Sequence, residues 1–192
     1  MRELRLGIAY EGGIDADIIA AIVKRVLESE GFTFNGFNPQ TNGTVIVDFV
    51  PSYARKFIEA DVDIAIFCTD QDKHPHNRKT EIEAKIRSVD EAFLLKCAIG
   101  VAIPHLEAWL LVQDHVVKNI LGYDASKPLP NPHLQPKDRL LAAYSEAPGE
   151  YEGSTSQLRI QIAETMDIAQ CSRACTDFKN FVQSIRSAVG NI

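Results

Sequence analysis

Short apolar runs alternate along this chain with longer segments of helical period, and that rhythm limits the folds open to it. Residues 4–10 (Leu-Arg-Leu-Gly-Ile-Ala-Tyr) alternate with period two and predict a strand. Asp15 opens a helix over residues 15–30, with Ile18, Ile19, Ile22, Val23, Val26 and Leu27 on one face and Gly31 at its end. Residues 32–43, rich in Asn and Gly, predict a loop. Residues 44–50 predict a second strand, and Pro51 starts a short helix reaching residue 60. Residues 62–68 predict a third strand, whose near-continuous apolar character implies burial on both faces. A charged helix over 78–88, a fourth strand over 93–103 and a helix from Pro104 follow. Strands and helices alternating at this spacing predict an α/β fold, a mostly parallel sheet flanked by helices.

The last third changes character. Four prolines, Pro128, Pro130, Pro132 and Pro136, mark a linker or ordered loop, and helices are predicted over 137–146, 155–166 and 177–188. The expected organisation is an α/β core over residues 1–125 and a helical extension over 126–192, packed on the core as one structural domain.

Charge and cysteine usage narrow the function classes. Twenty Lys and Arg stand against 26 Asp and Glu, a net charge of −6, so overall charge does not hold this chain on duplex DNA; a local basic patch still can. No apolar run approaches the roughly 20 residues that span a bilayer, and no signal-type apolar core follows Met1, so neither a membrane partner nor secretion is expected. Cys68 and Cys97 sit in apolar runs, and Cys171 and Cys175 lie four apart on one helical face. Such cysteines predict reduced thiols in a cytoplasmic protein.

Acids fall where this architecture puts ligands, outside the carboxyl ends of the strands. Glu11 follows the first strand, Asp15 stands at the start of the first helix, Asp70 and Asp72 follow the third strand, and Glu107 lies in the first turn after the fourth. Strands one, three and four as neighbours bring all five onto one rim. Carboxylates crowded there repel one another unless a divalent cation neutralises them. Mg²⁺, with its preference for oxygen ligands, or Mn²⁺ is the expected cofactor, held by Glu11, Asp15, Asp70, Asp72 and Glu107. Taken singly, Asp15 also fits a helix cap, Asp70 and Asp72 a solvated turn, and Glu107 an acid at a helix N-terminus.

Tyr10-Glu11-Gly12-Gly13-Ile14-Asp15 resembles the Glu-Gly-x-x-Glu signature of TOPRIM domains of the old-nuclease type, with Asp15 in place of the second Glu. Asp70-Gln71-Asp72 resembles the TOPRIM Asp-x-Asp. Residues 103–111, with Pro104, Glu107, Ala108, Trp109 and Leu110, look like the Pro-x-x-Glu-Ala-Trp-Leu stretch of a small bacterial TOPRIM-like family, and residues 136–140 and 172–178 resemble its downstream segments. The resemblance covers most of the chain. It implies a TOPRIM/Rossmann-like fold, Glu11 as general base or metal ligand, and Asp70 and Asp72 as Mg²⁺ ligands. It also implies a nucleic acid target, DNA or RNA, and an ABC-type or AAA ATPase partner in defence against foreign DNA.

Lys137 and Arg173, in those downstream segments, are candidates for stabilising charge at a transferring phosphoryl group, Lys137 as a catalytic residue. Lys73, Arg78 and Lys79 beside the Asp pair fit either phosphate gripping or a solvated helix start. His74 and His76 fit either a mixed nitrogen and oxygen metal site or a polar surface loop. Trp109 reads as core packing. Gly12-Gly13 makes neither a phosphate-binding P-loop nor a dinucleotide fingerprint, and no nucleophile elbow is present. Three readings follow: a Mg²⁺-dependent nuclease or phosphodiesterase, a non-catalytic interaction subunit of an ATPase complex, and a small-molecule phosphotransfer or phosphohydrolase domain.

Overall fold

A computed structural model describes residues 2–12, 14–40, 46–72, 77–149 and 151–192. Among the described residues four strands, β1 (Arg2–Ala9), β2 (Phe32–Gln40), β3 (Ile64–Asp70) and β4 (Cys97–Ala102), form one sheet in the order β2-β1-β3-β4. Every pairing is parallel. The expected α/β class with a helix-flanked parallel sheet is therefore what the chain forms.

Parallel strands are buried on both faces, and the two cores here are distinct. Leu4, Leu6 and Ile8 of β1 and Ile64 and Ile66 of β3 point to one face. That face is covered by α1 (Asp15–Ser29), α7 (Thr155–Thr165) and α9 (Thr176–Val189), with α4 (Leu106–Leu110), α5 (Asp114–Leu121), α6 (Pro136–Ser145) and α8 (Ile168–Ala174) beside them. Ala65 and Phe67 of β3 and Ile99 of β4 point the other way, onto α2 (Val50–Glu59) and α3 (Arg78–Arg87). The C-terminal helices thus contribute Leu158, Phe178 and Phe181 to the same buried cluster as β1 and α1.

Two glycines let helices approach the sheet. A Cβ at Gly7 would lie 2.5 Å from the Phe57 ring on one face, and a Cβ at Gly100 would lie 2.8 Å from the Phe181 ring on the other. All four cysteines are free, three of them buried. Among the described residues no helix is long and apolar enough to cross a membrane.

Two predicted elements are corrected. The second strand is Phe32–Gln40, in the segment expected to be a loop. A bulge sets four residues, Phe34 to Phe37, against the three from Leu4 to Leu6, so the strand's alternation breaks mid-way. The described part of the segment expected as that strand, residues 46–50, forms instead a short 3₁₀ helix, Ile46–Phe49, leading into α2. Its buried positions, Ile46, Val47, Val50, Ala54 and Phe57, follow a helical period, which the β-branched composition concealed. The fourth strand is also shorter than expected, because Ala92–Lys96 is a 3₁₀ turn. The helices α5 and α8 are additional to those anticipated.

Gly7→Ala is expected to lower the unfolding free energy by about 1–3 kcal/mol through overpacking against Phe57. Gly7→Ala with Phe57→Leu should recover part of that loss in urea denaturation; a neutral Gly7→Ala would contradict the close approach.

Candidate acidic metal site

The strand order reverses beside β1: the chain steps from β1 outward to β2, then back across to β3 and β4. In open α/β sheets the crevice at such a reversal, outside the carboxyl ends of the strands, is the binding position. β1 ends at Ala9 and β3 at Asp70, side by side, so Glu11 and Asp70 meet there.

Each acid is held by its own contacts. The Thr69 hydroxyl donates to Glu11 Oε1 in a short hydrogen bond. The Ile46 amide also donates to Glu11, yet burial outweighs both and pushes this carboxyl above its ordinary value. Asp15 turns back to accept from the Gly12 amide at 2.9 Å. Burial raises its pKa too; Glu107 adds to the rise, while Arg159 and Lys137 oppose it.

Asp70 carries the largest carboxylate perturbation, pushed up to about 7 by burial first and then by the charges of Glu107, Glu11 and Asp15. Its Oδ1 accepts from the Leu106 amide at 2.8 Å. Asp72 adopts a left-handed backbone conformation (φ 48°), a region Asp tolerates better than most residues. Its amide donates to the Pro104 carbonyl at 3.0 Å, next to the cis Ile103–Pro104 bond.

The loop after β4 supplies a candidate ligand that sequence reasoning missed. His105 Nδ1 lies 2.9 Å from Asp72 Oδ1 and 3.5 Å from Asp70 Oδ2. One ligand atom from each of Asp70, Asp72 and His105 falls within 4.8 Å of the others. That donor set, two carboxylates and an imidazole, suits a divalent ion such as Mn²⁺, and Mg²⁺ with retained waters. His105 stands two positions before Glu107 in the sequence. Only the β3–β4 register, which sets Asp70 opposite Ala102, reveals that it faces the Asp pair.

The other candidates divide. Glu107 is buried and its charge reaches Asp70, but its Oε1 is tied to Arg159 Nη2 of α7 at 2.8 Å. Lys137 sits exposed in the first turn of α6, close enough for its charge to act on Asp15. Arg173 is exposed on α8, where its charge acts on Asp167. Lys73, His74 and His76 lie outside the described residues. Trp109 is core: it stacks on Phe181 at 5.3 Å and meets Phe178 edge-on at 5.4 Å. Its Nε1 donates to Asp177 Oδ2 at 2.5 Å, and the same oxygen accepts from the Ile103 amide at 3.1 Å.

Between Glu11, Asp15, Asp70 and Leu106 lies a cavity of about 10 Å³, on the scale of one water or ion. A wider cavity of about 320 Å³, lined by Gln71, Asn77, Val101 and Ile103 among others, opens beside the Asp pair. No protein-family model, curated protein or solved structure matches the chain.

The Asp70 perturbation has a defined sign. Its folded pKa is about 7 against an ordinary 3.8, so the folded protein binds this proton more tightly than the unfolded chain. Stability from this group is therefore lost as pH rises from about 4 to about 7, and stays lost above. In EDTA at pH 8, Asp70→Asn should stabilise the protein by on the order of 1–3 kcal/mol. At pH 4 the difference should vanish. Urea denaturation at both pH values checks this, and a less stable variant at pH 8 would refute the repulsion.

Proposed function

We propose that the chain is a divalent-metal-dependent phosphodiester hydrolase of TOPRIM type acting on nucleic acid, with Mg²⁺ or Mn²⁺ as its cofactor. The observation that carries this reading is the convergence of Glu11, Asp70, Asp72 and His105 at the sheet's reversal point, three of them offering ligand atoms within 4.8 Å. The fit rests on chemistry: four desolvated or crowded carboxyl groups whose mutual repulsion a divalent cation relieves.

Asp70, Asp72 and His105 would hold the ion, which supplies charge neutralisation at the phosphate and acidifies a bound water. Glu11 is the general base. Burial raises its basicity, and the Thr69 hydroxyl fixes its carboxylate in orientation. Asp15 contributes negative charge at the start of α1 and braces the Gly12 turn that carries Glu11. Arg159 orients Glu107, and Lys137 supplies positive charge at the rim near Asp15. An ATPase partner and a role in defence against foreign DNA belong to the same proposal.

The reading predicts cleavage of a single- or double-stranded polynucleotide in Mg²⁺ or Mn²⁺ that EDTA abolishes. Asp70→Ala and Asp72→Ala should each lose at least about a hundredfold in kcat/KM, along with Mn²⁺ binding. Glu11→Gln should lose a similar factor in kcat while keeping Mn²⁺ affinity, as expected for a base. Circular dichroism confirms the fold. Turnover of mononucleotides but not of polynucleotides would move the assignment to a small-molecule phosphohydrolase. Metal-independent activity would overturn it.

A further inference from the structure

Of the basic residues near the Asp pair, two are described and they behave oppositely. Lys79 is exposed and lies 3.9 Å from Glu83 on its own helix. Arg78, the first residue of α3, is 6% exposed. Its Nε is buried and has no hydrogen-bond partner among the described residues. A guanidinium N–H buried without an acceptor is destabilising. Helix capping does not explain its burial, since Asn77 supplies the cap by accepting from the Thr80 amide at 3.2 Å. Its charge reaches the acid pocket, where it opposes the rise in the Glu11 pKa. Arg159, the other arginine of the site, differs in having its guanidinium committed to Glu107 at 2.8 Å.

A buried cation with an idle donor beside a negative pocket suits an incoming anion that the pocket alone would repel. Guanidinium N–H groups match phosphate oxygens in geometry and gain strength from low solvent exposure. We propose that Arg78 is the oxyanion-binding residue of this site, its guanidinium donating to a non-bridging oxygen of a phosphate group. This rests on the phosphodiester reading above and assigns it a second point of substrate contact, independent of the metal ligands.

The full chain, Arg78→Met and Arg78→Lys are compared with two probes, inorganic phosphate in EDTA and a single-stranded oligonucleotide with Mn²⁺. Phosphate should bind the native chain at least tenfold more tightly than Arg78→Met, with Arg78→Lys between them. Oligonucleotide cleavage should fall about 10²–10³-fold in kcat/KM for Arg78→Met. Mn²⁺ affinity should change less than twofold, and the melting temperature in EDTA should be equal or higher, because a buried donor without an acceptor is removed. Phosphate affinity unchanged in either folded variant overturns the proposal, as does unfolding of both variants, which would make Arg78 a structural residue. If the native chain cleaves no nucleic acid, the hydrolase reading fails, while the phosphate titration still decides the role of Arg78.

Discussion

Repulsion between carboxylates held at the ends of buried strands is the interaction around which this molecule is organised. Asp70 is raised to about 7 because burial and three neighbouring acids act on it together. A fold does not gather such groups for stability, since each loses hydration and gains a like-charged neighbour. The sheet can hold them because its two cores anchor the strands on both faces, fixing the strand ends regardless of what those ends carry. Local devices then limit the cost: Thr69 and Ile46 donate to Glu11, Gly12 to Asp15, Leu106 to Asp70, and Arg159 pairs with Glu107.

Much of the architecture was legible because it depends on local signals. Leu4, Leu6 and Ile8 alternate cleanly, and the apolar stripe of α1 repeats at helical spacing, so β1 and α1 are read directly. The rim of acids was legible for the same reason: once strands are placed in a parallel sheet, the residues at their carboxyl ends are neighbours. What escaped was non-local. The bulge opposite Leu4 and Leu6 hides β2, since Asn35-Gly36 imitates a turn and shifts the alternation. Val47 and Val50 favour a strand by composition, yet their burial follows the helical phase that leads into α2.

Within the site, the cross-chain partners were invisible for a comparable reason. His105 meets Asp72 only through the pairing of β3 with β4, and Arg159 reaches Glu107 only because α7 packs near α4. No spacing in the chain encodes either contact. The inward turn of Arg78 also could not be read from a basic run, because sequence treats Arg78 and Lys79 as equivalent while burial separates them.

Asp177 connects these observations at a distance. One oxygen of this residue, in the first turn of α9, holds both the Trp109 indole and the backbone at Ile103, two residues before His105. The final helix therefore works as a splint for the loop that presents the imidazole. Wear on that splint, whether by trimming the end of the chain or by loosening the aromatic stack of Trp109 and Phe181, would reach the pocket as a misaimed ring rather than as a lost ligand. The tail of this chain is thus part of its aim.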